Sequence, residues 1–214
     1  MKLDIVYNDT AKPGYEAAQG FACFIEEAGI LFDTGGKADV LSHNMEQMGI
    51  KQEQIKKLVL SHDHWDHIGG MDAVLRKDLD VYILSTFSKE TKNFISQKAK
   101  LIETTEMKEI SKDVFTTGII SNGMDEQSLV LKTGKGLVVL TGCAHPGVDR
   151  IIEKVSELGN IHAVIGGFHG FNKLEMLKDI EFLAACHCTE HLDEIKQMYP
   201  ETFKEISAGT VLEF

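Results

Sequence analysis

The chain has 214 residues, of which 43% are hydrophobic and 26% charged, and this globular composition excludes a largely disordered or fibrous protein. Twenty-two basic residues against 33 acidic ones give a net charge of −11, which argues against binding nucleic acid or anionic membranes through a broad basic surface. The sequence has no stretch long enough to span a membrane and begins without the apolar run of a signal peptide, so we expect a cytoplasmic protein with reduced cysteines.

The first half of the chain alternates short apolar runs with amphipathic ones. The predicted elements are strands at 3–7, 21–26 and 30–32, a helix at 40–48, a buried strand at 57–60, a short helix after Gly70 and a strand at 81–84. The polar segment 89–112 is interpreted as a mobile or variable surface segment.

The second half continues the same alternation, with hairpins among the strands. The predicted strands are 114–117, 128–133, 137–141, 163–166 and 180–184, the predicted helices are 148–158 and 192–199, and two short strands end the chain. Interleaved strands, helices and hairpins favour α/β layers with mixed sheets over a purely parallel sheet. Because no linker, low-complexity tract or repeat interrupts the pattern, we expect one domain over residues 1–214.

The most informative stretch follows the predicted strand 57–60 and precedes Gly69 and Gly70. Residues 62–67 contain three His and two Asp within six positions. In an extended turn His62 and His64 can point the same way, whereas Asp66 and His67 begin the next helix. Two pairs of ligands facing one cavity suit two metal ions, and imidazole with carboxylate favours zinc, iron or manganese over calcium. A solvated polar loop is the alternative.

The pattern HxHxDH after a strand, with Phe32-Asp33-Thr34-Gly35 about thirty residues upstream, resembles the metallo-β-lactamase-fold hydrolases. Two later stretches extend the resemblance from about residue 20 to the end, namely TGCAHPG at 141–147 and ACHCT at 185–189. It implies an α/β fold, a four-layer αβ/βα sandwich with mixed sheets.

The resemblance also implies a set of metal ligands. The first metal would take His62, His64 and His145, and the second would take Asp66, His67 and His187. Asp33 matches an acid that braces the metal loop through hydrogen bonds, or is simply an Asp that forms a turn. The implied cofactors are two divalent ions, zinc first, with manganese or iron as alternatives.

One position departs from the family pattern, which usually supplies a bridging Asp after a strand that follows the third His. The segment 164–171 has no Asp or Glu, and His169 is its one polar side chain. A neutral imidazole does not bridge two metals as a carboxylate does. Either the second metal site is weaker, or His169 faces the substrate as an acid or as a donor to a developing oxyanion. A structural His169 is the third reading.

Several other residues are assigned roles away from the metals. Cys186 and Cys188 flank His187 in a strand-end segment and are expected to point away from it and pack, with a redox pair as the alternative. Cys143, two residues before His145, could face the site but is expected to pack. Trp65 either walls a pocket or wedges the loop against the core, and Asp63 is a candidate base close to the metals. The histidines without partners at ligand spacing, interpreted as surface or structural, are His43, His162 and His191.

The leading functional hypothesis is a hydrolase that activates a metal-held water against an ester-type or phosphoester-type small molecule, with Asp66 as proton acceptor and His169 as donor. The residues of the motifs TGCAHPG at 141–147 and CHCT at 186–189 resemble those of a subgroup of the family that is named for a dihydropterin–ribofuranosyl-aminobenzene phosphate synthase. The alternative is an iron-dependent redox enzyme, such as an oxygen or nitric oxide reductase or a sulfur dioxygenase. Neither a nucleic-acid nor a membrane partner is expected, and the oligomeric state stays open. The positive charge of the metal ions would offset the repulsion between the acidic chain and an anionic substrate.

Overall fold

The computed structural model describes all residues from 1 to 214, and they group into two compact units. The first unit contains residues 1–105 and 207–213, and the second contains residues 106–206 and 214. The expectation of a single domain over the whole chain stays a prediction.

One mixed sheet of seven strands forms the first unit, in the order β15-β1-β2-β3-β4-β5-β6. Its strands are β1 (Lys2–Tyr7), β2 (Ala22–Ile25), β3 (Ile30–Phe32), β4 (Lys57–Val59), β5 (Asp80–Leu84), β6 (Lys100–Thr104) and β15 (Thr210–Glu213). Its helices are α1 (Ala38–Gln47), α2 (Trp65–Ile68) and α3 (Lys89–Lys98). The strands from β3 to β6 run parallel, so the loops after β3 and β4 leave the same edge of the sheet.

The second unit contains a mixed sheet of six strands in the order β14-β13-β12-β11-β8-β7, and a separate hairpin of β9 and β10. Its strands are β7 (Lys108–Ser111), β8 (Val114–Thr116), β9 (Ile120–Asn122), β10 (Met124–Glu126), β11 (Leu129–Thr133), β12 (Gly136–Thr141), β13 (Ile161–Gly167) and β14 (Phe182–Cys186). Its helices are α4 (Val148–Ser156) and α5 (Leu192–Met198). Because β12, β13 and β14 are parallel neighbours, the three loops that follow them leave one edge together.

The core of the second unit shows why α4 forms where the spacing predicts it. Val148, Ile151 and Val155 are buried on one face of this helix and pack in a cluster with Val139 and Val164 of the sheet. Apolar residues three or four positions apart make such a face, which burial against the strands stabilises.

Mixed sheets were predicted and are confirmed, but three local predictions differ from the structure. The segment 89–112 is not irregular, because it contains α3, β6 and β7. Helix α3 begins where the Ser88 side chain accepts a hydrogen bond from the Thr91 amide. The strand predicted at 180–184 lies two residues later, and one strand rather than two ends the chain. No helix combines the length and apolar character that a membrane crossing requires.

Candidate metal centre

His62 and His64 occupy the loop that follows β4 and aim at each other. Nε2 of His62 lies 3.1 Å from Nδ1 of His64, so the prediction that these side chains point the same way is confirmed. Two nitrogens that share a tetrahedral zinc ion at about 2.05 Å stand roughly 3.3 Å apart. The separation in the structure therefore suits two ligands of one ion.

The carboxylate of Asp33 holds this loop from the end of β3. It accepts hydrogen bonds from the amide of Ser61 at 2.7 Å and from the Ser61 hydroxyl at 2.7 Å, and it contacts Nδ1 of His67 at 2.7 Å. Asp33 and His67 are both fully buried. A carboxylate on Nδ1 places the ring proton there, which leaves the Nε2 lone pair of His67 for a metal. The predicted brace is confirmed, and Asp33 itself has a φ of 57°, in the left-handed region.

The same network orients His62. Its Nδ1 lies 2.8 Å from the Ser61 hydroxyl, whose own hydrogen is donated to Asp33, so Nδ1 of His62 is the donor and Nε2 carries the lone pair. Burial, followed by the nearby His67, lowers the pKa of His62 well below its usual value. A neutral imidazole with a directed lone pair is the form that binds a metal ion.

Helix α2 is one turn long and carries Asp66 and His67, as predicted. Its position depends on close backbone packing against the loop after β3, where the Thr34 hydroxyl donates to the carbonyl oxygen of His67 at 2.8 Å. A Cβ atom at Gly70 would stand 2.1 Å from the Thr34 carbonyl oxygen, so only glycine allows this approach. Ligand atoms of Asp66 and His67 lie within 4.8 Å of each other.

Asp63 and Trp65 do not have the roles of ligands. The Asp63 carboxylate accepts from the amide of Ser88 at 2.7 Å and the hydroxyl of Thr91 at 2.7 Å, so it fixes the start of α3. Trp65 is 57% exposed and lines a cavity of about 580 Å³ together with Phe94. Its ring also lies over Gly36, where a Cβ atom would come within 2.5 Å, so Trp65 is both a pocket wall and a wedge.

Loop 142–145 of the second unit is held by one buried carboxylate. Glu126 is 1% exposed, and its two oxygens accept four backbone N–H groups, from residues 142, 143, 144 and 145, at 2.8–3.1 Å. This arrangement determines the path of the loop that presents His145. The sequence predicts no role for Glu126, because a contact with main-chain donors leaves no pattern of side-chain types.

His145 and His169 follow the neighbouring strands β12 and β13, and their ring centroids lie 4.6 Å apart in an edge-to-face arrangement. His169 is exposed and has a φ of 41°, in the left-handed region. The loop that carries it is tied to the segment after β14, because the amide of Phe168 donates to the Thr189 hydroxyl at 3.0 Å. His169 is therefore presented next to a predicted metal ligand.

The third loop brings sulfur atoms to His187. The ligand atoms of Cys143, His187 and Cys188 all lie within 4.8 Å of one another. The expectation that Cys188 points away from His187 is wrong, because β14 ends at Cys186 and the φ of 51° at His187 ends the alternation of an extended strand. A hydrogen bond with the Cys143 side chain, and further the nearby His187, lowers the pKa of the Cys188 thiol from its ordinary value.

The histidines interpreted as bystanders have ordinary partners. His43 contacts the carbonyl oxygen of Gly14, whereas His162 and His191 contact the carboxylates of Glu181 and Glu194.

Mixed α/β sheets whose strand-end loops carry His and Asp at ligand spacing indicate an α/β protein with a candidate metal site. Residues 18–84 match the family model of the Metallo-beta-lactamase superfamily. The chain is 27% identical to a metal-dependent hydrolase of the beta-lactamase superfamily whose crystal structure is known. The two structures match with a TM-score of 0.85 over 100% of this chain and 99% of that one. These matches are to the metallo-β-lactamase superfamily, and the predicted α/β fold class is confirmed.

Two proteins of Methanocaldococcus jannaschii are also similar to this chain. One is 7,8-dihydropterin-6-methyl-4-(β-D-ribofuranosyl)-aminobenzene-5′-phosphate synthase, 24% identical over 86% of this chain and 84% of its own length. The other is an uncharacterised protein, 28% identical over 78% of each. The proteins to which this chain is similar thus include one named as a hydrolase and one named as a synthase.

Proposed function

We propose that this protein is a metal-dependent hydrolase that uses an activated water against an ester-type or phosphoester-type small molecule. The observation that carries the proposal is the His62–His64 pair at 3.1 Å, beside a His67 whose tautomer a buried Asp33 determines. Burying the Asp33 carboxylate costs free energy. The network nevertheless has the imidazole donors of a protein metal site and the carboxylate that typically hydrogen-bonds to a metal-binding histidine.

The proposed ligands are those that the resemblance in sequence implies. His62, His64 and His145 would hold one divalent ion, and Asp66, His67 and His187 would hold a second. Five imidazoles and one carboxylate suit zinc, with manganese or iron(II) as alternatives. A bound ion of this kind lowers the pKa of water and polarises the bond under attack.

Two residues are proposed to handle protons. Asp66 is the candidate acceptor for the proton that water loses on attack, since a carboxylate beside the metals has the required basicity. The exposed His169 would orient the substrate or donate a proton to the leaving oxygen, a role supported by its ring lying 4.6 Å from that of His145.

The substrate is proposed to be anionic. A cavity of about 290 Å³ in the second unit is lined by His145, His169, Asn122, Arg150 and Lys173. Lys173 is paired with Asp149 at 2.6 Å, which leaves the guanidinium of Arg150 as the additional positive charge there. A cationic lining in a chain of net charge −11 favours a phosphate or carboxylate group, and the named product of the related synthase carries a 5′-phosphate.

The test is a screen of metal-reconstituted protein against phosphomonoesters, phosphodiesters, lactones and thioesters, with metal analysis and an absorption spectrum of the fresh protein. We expect His64→Ala to abolish both turnover and stoichiometric metal binding, because it removes one of two converging imidazoles. His43→Ala, a histidine of the same unit outside the loop, is the matched control. Full turnover by metal-free protein would overturn the proposal, and strong iron absorption with oxygen reduction would replace it by the redox alternative.

The role of His169 has its own test. We expect His169→Gln to keep the metal content and lower kcat about 100-fold, as loss of a general acid does, with a smaller change in KM. His191→Gln is the control, and an unchanged kcat with an unchanged pH profile would assign His169 a structural role.

A further inference from the structure

Two cysteines with no assigned role converge on His187 in the second unit. Cys143 follows β12, Cys188 follows β14, and their sulfur atoms and an imidazole nitrogen of His187 lie within 4.8 Å of one another. We propose that Cys143 and Cys188 are thiolate ligands of the metal ion that His187 binds. The inference deepens the proposed function, because His187 is one of its ligands.

The spacing of the three atoms is close to that of a filled site. Sulfur and nitrogen atoms that share a tetrahedral zinc ion stand about 3.5–3.8 Å apart, given bonds of roughly 2.3 and 2.0 Å. Separations of at most 4.8 Å therefore need only a small inward movement of side chains when an ion binds.

The backbone leaves room for these sulfur atoms. A Cβ atom at Gly167, the last residue of β13, would lie 2.7 Å from the Cys188 sulfur and 3.1 Å from the Cys143 Cα. Any other residue there would displace the thiol. The sulfur of Cys188 also lies 3.8 Å from the carbonyl oxygen of Cys143, which ties the loops after β12 and β14 together.

Thiolates would supply negative charge directly beside His187. Segment 164–171 has no carboxylate, and both oxygens of Glu126 are engaged by the amides of loop 142–145. Two thiolates can neutralise a divalent ion, and they favour zinc, iron or copper over magnesium and calcium. Cys and His are the ligand types that protein zinc sites use most.

The experiment uses cobalt(II) bound to the reduced, full-length protein under argon. Thiolate ligation gives an intense near-ultraviolet charge-transfer band that nitrogen and oxygen ligands do not give. We expect this band in the unsubstituted protein, about half of it in Cys143→Ser and in Cys188→Ser, and none in the double variant. Cys186→Ala, in the residue that also flanks His187, is the matched control and should keep the full band.

Alkylation of the unsubstituted protein provides a measurement that does not depend on how the variants fold. With iodoacetamide and peptide mapping, we expect zinc to slow modification of Cys143 and Cys188 at least tenfold while Cys23 and Cys186 react at unchanged rates. Stoichiometric cobalt without the near-ultraviolet band, a band that survives in the double variant, or no protection by zinc would overturn the thiolate assignment and leave the proposed function standing. Failure of the unsubstituted protein to bind any metal would instead overturn the proposed function.

Discussion

The loops 61–67 and 142–145 perform the same task in the two units by different means. Each presents predicted metal ligands after a strand, and each is held by one buried carboxylate. In the first unit Asp33 acts largely on side chains, the Ser61 hydroxyl and the ring of His67. In the second unit Glu126 accepts hydrogen bonds from four main-chain amides of the loop itself.

The difference separates two properties that a metal loop needs. An acid bonded to a ligand ring sets the tautomer and basicity of that ligand, so it influences the affinity for metal directly. An acid bonded to amides sets the shape of the loop, so it contributes mainly to the free energy of unfolding. Two substitutions that remove the charge and keep the shape can test this division.

The larger effect is expected from Glu126→Gln. The amide nitrogen of Gln would face two or more of the four buried N–H donors, and we expect the free energy of unfolding to fall by about 3 kcal/mol. Urea unfolding of the metal-free protein measures the loss, with the exposed Glu153→Gln of α4 as control. A change of less than about 0.5 kcal/mol, the range of ordinary surface substitutions, would contradict the structural role.

A smaller effect, of a different kind, is expected from Asp33→Asn. The loss of negative charge beside Nδ1 of His67 should weaken metal binding about 10–100-fold, the usual cost of an altered outer partner. Competition with a chromophoric chelator measures the affinity, and Asp78→Asn, at a carboxylate that is 76% exposed, is the control. The assignment of metal affinity to Asp33 and of stability to Glu126 would be contradicted if Asp33→Asn lowered only the free energy of unfolding and Glu126→Gln lowered only the metal affinity.

The sequence predicted well whatever depends on residue type and spacing along the chain. Helix α4 and strand β3 lie where periodicity places them, and the mutual approach of His62 and His64 follows from their separation by two residues in an extended loop. The Asp33 brace was predictable because a conspicuous motif contains it. These signals are local, so a single sequence carries them.

What the sequence did not reveal depends on contacts made far along the chain. Glu126 bonds to residues 16–19 positions away through the main chain, which any residue type could supply. Cys188 turns toward His187 because the strand ends at Cys186, and the end of the strand was predicted two residues too early. Helix α3 was missed because its polar face dominates the composition of 89–112, whereas Asp63 fixes its start from a distant loop.

Four residues with side chains larger than glycine's adopt left-handed backbone angles at the strand-end loops, namely Asp33, Ala144, His169 and His187, with φ between 41° and 57°. Each such residue costs on the order of 1 kcal/mol, against a total stability of roughly 5–15 kcal/mol for a protein domain. The free energy of unfolding is therefore lower than it would be with relaxed loops, and the left-handed angles determine where the side chains of these loops point. Ala144 illustrates this exchange, because its methyl group accepts the strain while it packs in the buried core cluster of the second unit.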